Sequence, residues 1–303
     1  PLDSHWRDAS TRLRKDDSDE RKREVARIYL KACHSTGLEV VAITDHNFAE
    51  SPEISFIKYL QEENDNVAKE CHRDPLYIFP GFELEADVGK GCHLLCIFPS
   101  ETPLNVVDSR LTSLELPPDK RYNGELTKPS TVQMKHVLKV VQRDLNYTGI
   151  IIAPHPTNAK GIFDNDRISE WLQKEEYKYI KLLCLEIHKP IEKMSRGWQS
   201  LLLCNEECQD EWKRERPPAC VMSSDCYRLY KDNAEDSNYI GYQYTWIKMS
   251  RPSVESLRQA FLDWESRIRF GPNCPDEQFQ YPKIRSILVR DASFLRRAER
   301  INW

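Results

Sequence analysis

The chain has 303 residues, and 44 lysines and arginines against 48 aspartates and glutamates give it a formal net charge of −4. Its 40% hydrophobic content, without any run of about 18 apolar residues, excludes disordered, fibrous and membrane-spanning classes. The slightly acidic balance argues against a surface built as a whole for nucleic acid but allows a local basic patch. The length suits one α/β barrel of about 250 residues or two smaller domains.

The ten cysteines indicate a reduced protein rather than a disulfide framework. Cys96 and Cys184 lie inside the apolar runs HLLCIFP and KLLCLEI, where a free thiol packs as a small hydrophobic side chain. The first residues, PLDSHWRDAST, contain no apolar core of a signal peptide. We therefore expect a cytoplasmic protein with no membrane partner.

Apolar, β-branched runs alternate with amphipathic stretches, a pattern typical of βα units around a parallel sheet. Six runs predict strands, at Leu38–Thr44, Leu76–Glu83, His93–Phe98, Gly149–Ala153, Lys181–Ile187 and Ala219–Ser223. Helices are predicted at residues 20–37, 52–71, 130–146, 166–179 and 194–214. The strand runs lack polar alternation, which indicates that both faces of the sheet are covered.

Two further regions depart from this alternation. Residues 115–131 are polar and contain three prolines, which predicts a surface excursion or a lid. Beyond residue 240, the sequence YQYTWIKM predicts a strand and SVESLRQAFLDW a helix. Six basic residues in Lys283–Trp303 favour a solvated face or a docking strand over a nucleic-acid patch.

Polar residues follow the predicted strands where each one ends. Asp45 and His46 follow the first strand, Glu83 ends the second, His155 follows the fourth and Asp225 follows the last. In a closed βα barrel these ends converge on one face, which is where such barrels place their active sites. The convergence predicts a functional site at that face.

The residue types at these ends favour a bound metal. A buried carboxylate–imidazole pair such as Asp45 and His46 is costly unless it coordinates an ion or is fully hydrogen-bonded. Imidazole and carboxylate together suit zinc, manganese or iron, and the lack of clustered cysteine pairs argues against a closed structural zinc site. The CxxxC spacings at 92/96 and 204/208 are better explained as core positions.

The order of these motifs, TDH, GFE, HLLCIF, PHP and SSD, resembles the PHP (polymerase and histidinol phosphatase) superfamily of metal-dependent phosphoesterases. The resemblance implies an α/β fold, a distorted (β/α)7 TIM-like barrel over residues 1–270, and a C-terminal extension over 271–303. The segment YQYTWIKMSRPSVESLRQAFLD further resembles PHP modules of the TrlF-like group, which are joined to AAA or SMC-like ATPases. An ATPase domain in the same polypeptide is therefore a predicted partner.

The resemblance also implies a set of site residues. Two or three divalent ions (Mn, Zn or Fe) are expected, with Glu83 as a bridging carboxylate and Asp45 orienting neighbouring imidazoles. Catalytic roles fall on Asp45, His155 and Asp225. The implied metal ligands are His5, His46, Glu83, His93, His155 and Asp225.

The sequence departs from the family pattern at two places. The HxH pair of the opening strand is absent, and PLDSH could be the tail of that motif, with the pair upstream of Pro1. In the final motif, Tyr227 stands where the family usually has histidine. A phenol has a pKa of about 10 and is a poorer metal ligand than imidazole at neutral pH. Both departures bear on whether a trinuclear site is complete.

The expected activity is hydrolysis of phosphate esters, with the protein acting as a nuclease or a nucleotide phosphodiesterase. Lys160 and Arg167, close to APHP in sequence, are candidates to steer phosphate. Glu186 and His188 face the same predicted rim, either as substrate contacts or as a structural pair. Two alternatives stay open, namely a degenerate module serving as a regulatory scaffold for an SMC-like ATPase, and a hydrolase of C–N bonds.

Overall fold

The protein is described from a computed structural model that covers residues 6–14, 16–47, 55–123, 126–143, 146–233, 236–272 and 274–275, with the backbone alone of 286–289 and 299–302. Its described residues form a mixed α/β fold. The strands are β1 Val40–Ile43, β2 Tyr77–Ala86, β3 Cys92–Ile97, β4 Tyr122–Asn123, β5 Leu126–Thr127, β6 Ile150–Ala153, β7 Cys184–Glu186, β8 Ala219–Val221, β9 Trp246–Ile247, β10 Ile268–Arg269, β11 Ser286–Val289 and β12 Glu299–Asn302.

Each predicted helix is confirmed, with tighter ends than the sequence suggested. Within the described chain the helices are α1 Asp19–Ser35, α2 Phe56–Cys71, α3 Leu104–Ser113, α4 Met134–Gln142, α5 Glu170–Tyr177, α6 Arg196–Leu203, α7 Val254–Leu262 and α8 Trp264–Arg267. Ser18 caps α1 by accepting a hydrogen bond from the backbone N–H of Arg21. The sequence missed α3, which contains few strong helix formers and buries only Val107 and Leu111.

Six strands form one curled sheet in the order β1-β2-β3-β6-β7-β8. The pairs β1/β2, β6/β7 and β7/β8 are parallel, whereas β3 runs antiparallel to both β2 and β6. Three further two-stranded pairings join β4 to β5, β9 to β10 and β11 to β12. The main sheet is therefore mixed rather than parallel.

The predicted distorted (β/α)7 TIM-like barrel is wrong. Among the described strands β1 and β8 are the two edges of the sheet, so the sheet forms a half-barrel that does not close. The physical reason lies between β2 and β3, which residues 87–91 alone connect. A parallel crossover needs a dozen or more residues, so this short connection makes an antiparallel hairpin and breaks the βα repeat.

Both faces of the sheet are buried, as the apolar strand runs predicted. Along β6, Ile150 and Ile152 pack with α7 in one apolar cluster, while Ile151 and Ala153 belong to the larger cluster on the opposite face. This alternation follows from the period of two in a strand. The result is a rigid frame of central strands whose ends carry the polar residues.

The remaining sequence predictions have mixed outcomes. All ten cysteines are free, and Cys92 and Cys96 are buried in the core. The strand predicted from YQYTWIKM is shorter in the structure and corresponds to β9. Most of the basic tail lies outside the described residues, so the predicted boundary at residue 270 is not tested. A search of the described helices for a segment long and apolar enough to cross a bilayer found none.

Candidate metal centre

Three imidazoles surround the carboxylate of Glu83, which is 8% exposed. The Nδ1 atom of His93 lies 2.5 Å from Oε1 of Glu83, and Nε2 of His155 lies 3.8 Å from the same oxygen. On the other oxygen, Oε2, the nearest imidazole atom is Nε2 of His46 at 3.6 Å. Glu83 is therefore the centre of the cluster.

The sheet topology brings these four residues together from distant parts of the sequence. His46 follows β1 and forms a parallel bridge with Glu83 in β2. His93, the second residue of β3, pairs with Glu85, which lies two residues after Glu83 on the same face of β2. His155 comes two residues after β6, which pairs with β3. The antiparallel hairpin that disproves the barrel is thus what places His93 beside Glu83.

The arrangement fits a metal ion. His46, Glu83 and His93 each offer one ligand atom, and these three atoms lie within 4.8 Å of one another. The buried Nδ1 atom of His155 makes no hydrogen bond within the described chain, whereas Nδ1 of His93 lies against Oε1 of Glu83. Imidazole nitrogens and a carboxylate oxygen that converge in this way are the donor types that bind zinc, manganese or iron.

Three residues that follow strands adopt a strained backbone conformation. Asn47 after β1, His155 after β6 and Asp225 after β8 have φ angles of 50°, 33° and 41°. Positive φ in residues other than glycine costs on the order of 1–3 kcal/mol each and tends to persist at functional sites. All three lie at the carboxyl ends of strands, beside the cluster or the pocket next to it.

The electrostatics of the cluster favour an ionised Glu83. Burial opposes ionisation, but the contacts with His155 and His93 and the charge of His46 outweigh it, so the pKa of Glu83 falls far below its ordinary value. Burial lowers the pKa of His93, against the opposing pull of Glu83. His155 is also desolvated, yet its contact with Glu83 and the charges of Glu186 and Asp225 raise its pKa.

Two more carboxylates crowd the same region. Burial, reinforced by Asp225 and Glu83, raises the pKa of Glu186 to about 7, although a hydrogen bond from the Ser223 hydroxyl opposes the change. Burial and the charge of Glu83 likewise raise the pKa of Asp225. Negative charge is therefore in excess here, which is the condition that a bound cation relieves.

A small polar pocket adjoins the cluster, with a volume of about 170 Å³. The ring of His188 stacks on that of His155 at 6.5 Å, and its Nε2 lies 3.0 Å from the side-chain amide of Asn158. The pocket presents mainly hydroxyl, amide and carboxylate groups, from Glu186, His188, Ser223, Ser224, Asp225, Ser237, Asn238, Tyr242 and Gln243. These groups suit a hydroxyl-rich ligand.

The polar segment 115–131, predicted as a surface excursion or lid, is mostly exposed where it is described and is also attached to the cluster. The Tyr122 hydroxyl donates a 2.6 Å hydrogen bond to the backbone carbonyl of His46. The side-chain amide of the buried Asn47 donates to the carbonyls of Arg121 and Lys128, at 2.9 Å each. The fully buried Arg121 side chain in turn pairs with Asp108 at 2.6 Å. These bonds position His46.

The remaining predicted site residues have different outcomes. Asp45 lies next to the cluster, where its backbone carbonyl accepts from the N–H of Glu83 and its charge adds to the burial that raises the pKa of Tyr29. Asp225 lines the polar pocket beside Glu186, rather than the three-residue group at Glu83. His5 lies outside the described residues.

The proposed phosphate-steering cations and Tyr227 have other contacts. Lys160 and Arg167 each pair with Glu85 at 2.9 Å, so one carboxylate offsets part of the charge of two cations. The Tyr227 ring lies under the Arg7 guanidinium, 4.2 Å from its carbon, and the phenol hydroxyl bonds Asn238. Sequence reasoning missed Asn47 as an anchor, although it directly follows His46. It also missed the pocket residues 237–243, which lie in coil and show no periodicity.

No protein-family model and no curated protein matches this chain. Among solved structures, the chain is similar to the one titled "Crystal Structure of PsfC from Pseudomonas syringae PB-5123", with 14% sequence identity and a TM-score of 0.42 over 82% of each chain. A likeness at this level fixes neither a shared fold nor a shared function. The resemblance to the PHP superfamily therefore stays a prediction.

Proposed function

We propose that this protein is a metal-dependent hydrolase of phosphate esters whose active centre is built on Glu83. The observation that carries the proposal is the convergence of His46, His93 and His155 on one buried carboxylate. The order of motifs that resembles the PHP superfamily supports phosphate esters as the substrate class.

The donor set suits a di- or trinuclear centre of manganese, zinc or iron. In this proposal His46, Glu83 and His93 hold one ion, and His155 and Asp225 provide donors for another. Bound divalent ions supply an activated water near neutral pH and stabilise charge on the phosphate oxygens. Because Lys160 and Arg167 are both held in ion pairs with Glu85, this proposal assigns the substrate charge to the metal centre.

The chain's own groups hold the rest of the substrate. The polar pocket beside His155 offers the Ser223 and Ser224 hydroxyls and the Asn238 and Gln243 amides. Such groups bind a leaving group rich in hydroxyls or ring oxygens, as in a nucleotide or a sugar phosphate. Tyr122 and Asn47 keep His46 in place while the substrate binds.

The test begins with metal content. Elemental analysis of the purified protein should find bound manganese, zinc or iron, and protein reloaded with these ions should hydrolyse a chromogenic phosphodiester. Glu83→Gln, which keeps the shape of the side chain, should abolish both. The matched control is Glu85→Gln, two residues along the same strand face, which should keep the metal because Glu85 pairs with Lys160 and Arg167.

A histidine pair sharpens the test. His93→Asn should release metal, whereas His34→Asn should not, although His34 is also buried and has a ring nitrogen without a hydrogen bond in the described chain. Folded wild-type protein that binds no divalent ion would refute the proposal. Tight metal binding without hydrolysis would favour the scaffold alternative, and hydrolysis of cyclic amides alone would favour C–N chemistry.

A further inference from the structure

A second cavity, of about 260 Å³, lies at the opposite end of the sheet from the metal centre. Its walls come from α4, from the segments that lead into β7 and β8, and from α7. Since β6, β7 and β8 run parallel, residues that precede them lie at their amino ends, whereas His155, Glu186 and Ser223 lie at their carboxyl ends. The lining consists of Leu138, Lys139, Gln142, Arg143, Tyr179, Ile180, Lys181, Leu183, Arg216, Arg258 and Leu262.

The charge of this cationic cavity is one-sided. Five of its lining side chains are basic (Lys139, Arg143, Lys181, Arg216 and Arg258), and no described residue in the lining is acidic. Only Arg258 has an ion pair within the described chain, with Glu255 at 3.3 Å. Cations gathered around one cavity repel each other, and the repulsion grows where water is partly excluded. An anion that entered the cavity would relieve that repulsion.

The floor of the cavity is fixed by hydrogen bonds between separate elements. The Arg258 guanidinium donates to the carbonyl of Gly149 at 3.0 Å and contacts the side-chain oxygen of Gln142 at 3.5 Å. The Gln142 amide in turn donates to the carbonyl of Lys181 at 3.3 Å. These bonds join α7, α4 and the segment before β7, so the cations do not depend on one mobile loop.

The lining of the cavity also includes apolar side chains. Leu138, Leu183 and Leu262 line it together with the ring of Tyr179. Pockets that enclose whole drug-sized ligands measure about 300–1,000 Å³, so this one takes a compact group with only part of an organic body inside. Several cations around a small volume, beside apolar side chains, match a polyphosphate better than a single phosphate.

We propose that the cationic cavity is a binding site for a compact polyphosphate, either inorganic pyrophosphate or the phosphate tail of a nucleoside di- or triphosphate. Lys139, Arg143, Lys181 and Arg216 would contact the phosphate oxygens, and Arg258 would form the floor. A nucleic-acid strand fits less well, because its phosphates are spread along a groove while these cations meet at one cavity. The inference does not depend on the activity proposed for the metal centre.

Binding should be measured by calorimetry on the full chain after chelator treatment, and again on Glu83→Gln, so that the metal centre takes no part. The probes are pyrophosphate, ATP, ADP and AMP, with sulfate as the reference anion. We expect one site, with ATP and ADP bound tighter than AMP and sulfate. If ATP and pyrophosphate bind equally, the cavity recognises the phosphates alone. If ATP binds more tightly, the apolar side chains of the lining also contact the nucleoside.

Charge-removal variants locate the site. Lys181→Ser and Arg216→Ser, both at exposed positions, should each weaken ATP binding by about tenfold. Lys193→Ser and Arg251→Ser remove equally exposed cations elsewhere and should leave the affinity unchanged. If all four variants behave alike, or if ATP binds no tighter than sulfate, the proposal fails. It also fails if single-stranded DNA of about 12 nucleotides binds the cavity more tightly than ATP.

Discussion

The two ends of the central strands differ in the sign of their charge and in how their side chains are held. At the carboxyl ends, short side chains crowd around Glu83, and hydrogen bonds from the 115–131 segment restrain His46. At the amino ends, exposed lysine and arginine side chains surround a cavity without acidic lining among the described residues. Each end carries an excess of one sign, which a ligand of the opposite sign would relieve.

The difference is consistent with what each site is proposed to bind. A small divalent ion requires donor atoms fixed within tenths of an ångström, so its site is buried and strained, with positive φ at Asn47, His155 and Asp225. A polyphosphate has many oxygens and tolerates varied geometry, so long flexible cations suffice. A rigid sheet can serve both needs because its ends are independent surfaces.

Each end depends on one buried arginine, and this gives the largest expected effect. Arg121 bonds Asp108 and the carbonyl of Leu116, and Arg214 bonds the carbonyls of Tyr177 and Leu182. Arg121→Met leaves Asp108 without its partner and should lower the free energy of unfolding by about 3–5 kcal/mol. Chemical denaturation measures this change.

The matched variant Arg214→Met separates the two ends. Both variants should lose stability, but among molecules still folded, Arg121→Met should weaken metal binding and Arg214→Met should weaken ATP binding. The bond from Arg214 Nε to the carbonyl of Arg216 supports this link to the cationic cavity. If each variant weakened both ligands equally, the two ends would not be independent.

The excess of negative charge at the carboxyl ends should appear as a pH dependence. Burial raises the pKa of Glu186 to about 7 in the folded, metal-free protein, against an ordinary 4.5. Because the folded state holds this proton more tightly, the stabilisation is complete below about pH 4.5 and is lost as pH rises through about 7. The difference is worth up to about 3 kcal/mol.

Glu186→Gln should therefore stabilise the chelator-treated protein above pH 7 and flatten its stability profile between about pH 4.5 and 7. Saturating divalent metal should produce a similar stabilisation in the wild type. Glu63→Gln is the control, since Glu63 is also buried but pairs with Arg27, and its exchange should not raise stability. A steeper profile in Glu186→Gln would contradict the sign of this argument.

The sequence predicted which residues meet around Glu83 better than it predicted the architecture that brings them together. His46, Glu83 and His155 could be found because apolar runs stop at polar residues, and parallel neighbours bring such ends together. Whether the sheet closes into a barrel depends on pairing between distant strands, which the sequence does not show, although the short 87–91 connection argues against a complete βα repeat. The contacts of Tyr122 and Asn47 were also hidden, since they form across more than 70 residues of chain.

The cationic cavity left no motif to detect. Its basic residues lie on separate elements, from Lys139 in α4 to Arg258 in α7, and each one alone looks like an ordinary solvated side chain. Only the fold brings them together. By contrast, the six basic residues of the tail at 283–303 are evident in the sequence, but most of that tail lies outside the described residues.

A smaller effect tests how the carboxyl end is held. Tyr122→Phe removes the hydroxyl that donates to the carbonyl of His46 and should weaken metal binding by about 10-fold or more, with little loss of stability. Competition with a chelating dye measures the change. Tyr59→Phe removes a comparable hydrogen bond, to Asp19 at 2.9 Å, far from the cluster, and should leave metal affinity unchanged. Equal metal affinity in Tyr122→Phe and wild type would mean that His46 needs no such anchor.

The smallest effect tests the amino end without any ligand. Lys181→Glu places a carboxylate among Lys139, Arg143, Arg216 and Arg258, and relief of their repulsion should raise the free energy of unfolding by about 0.5 kcal/mol at low salt. The gain should vanish near 1 M salt, where the screening length is about 3 Å. Lys193→Glu, at an exposed position elsewhere, should give no gain. If Lys181→Glu is neutral or destabilising at low salt, the cations at this end do not repel one another, and the charge contrast between the two ends is lost.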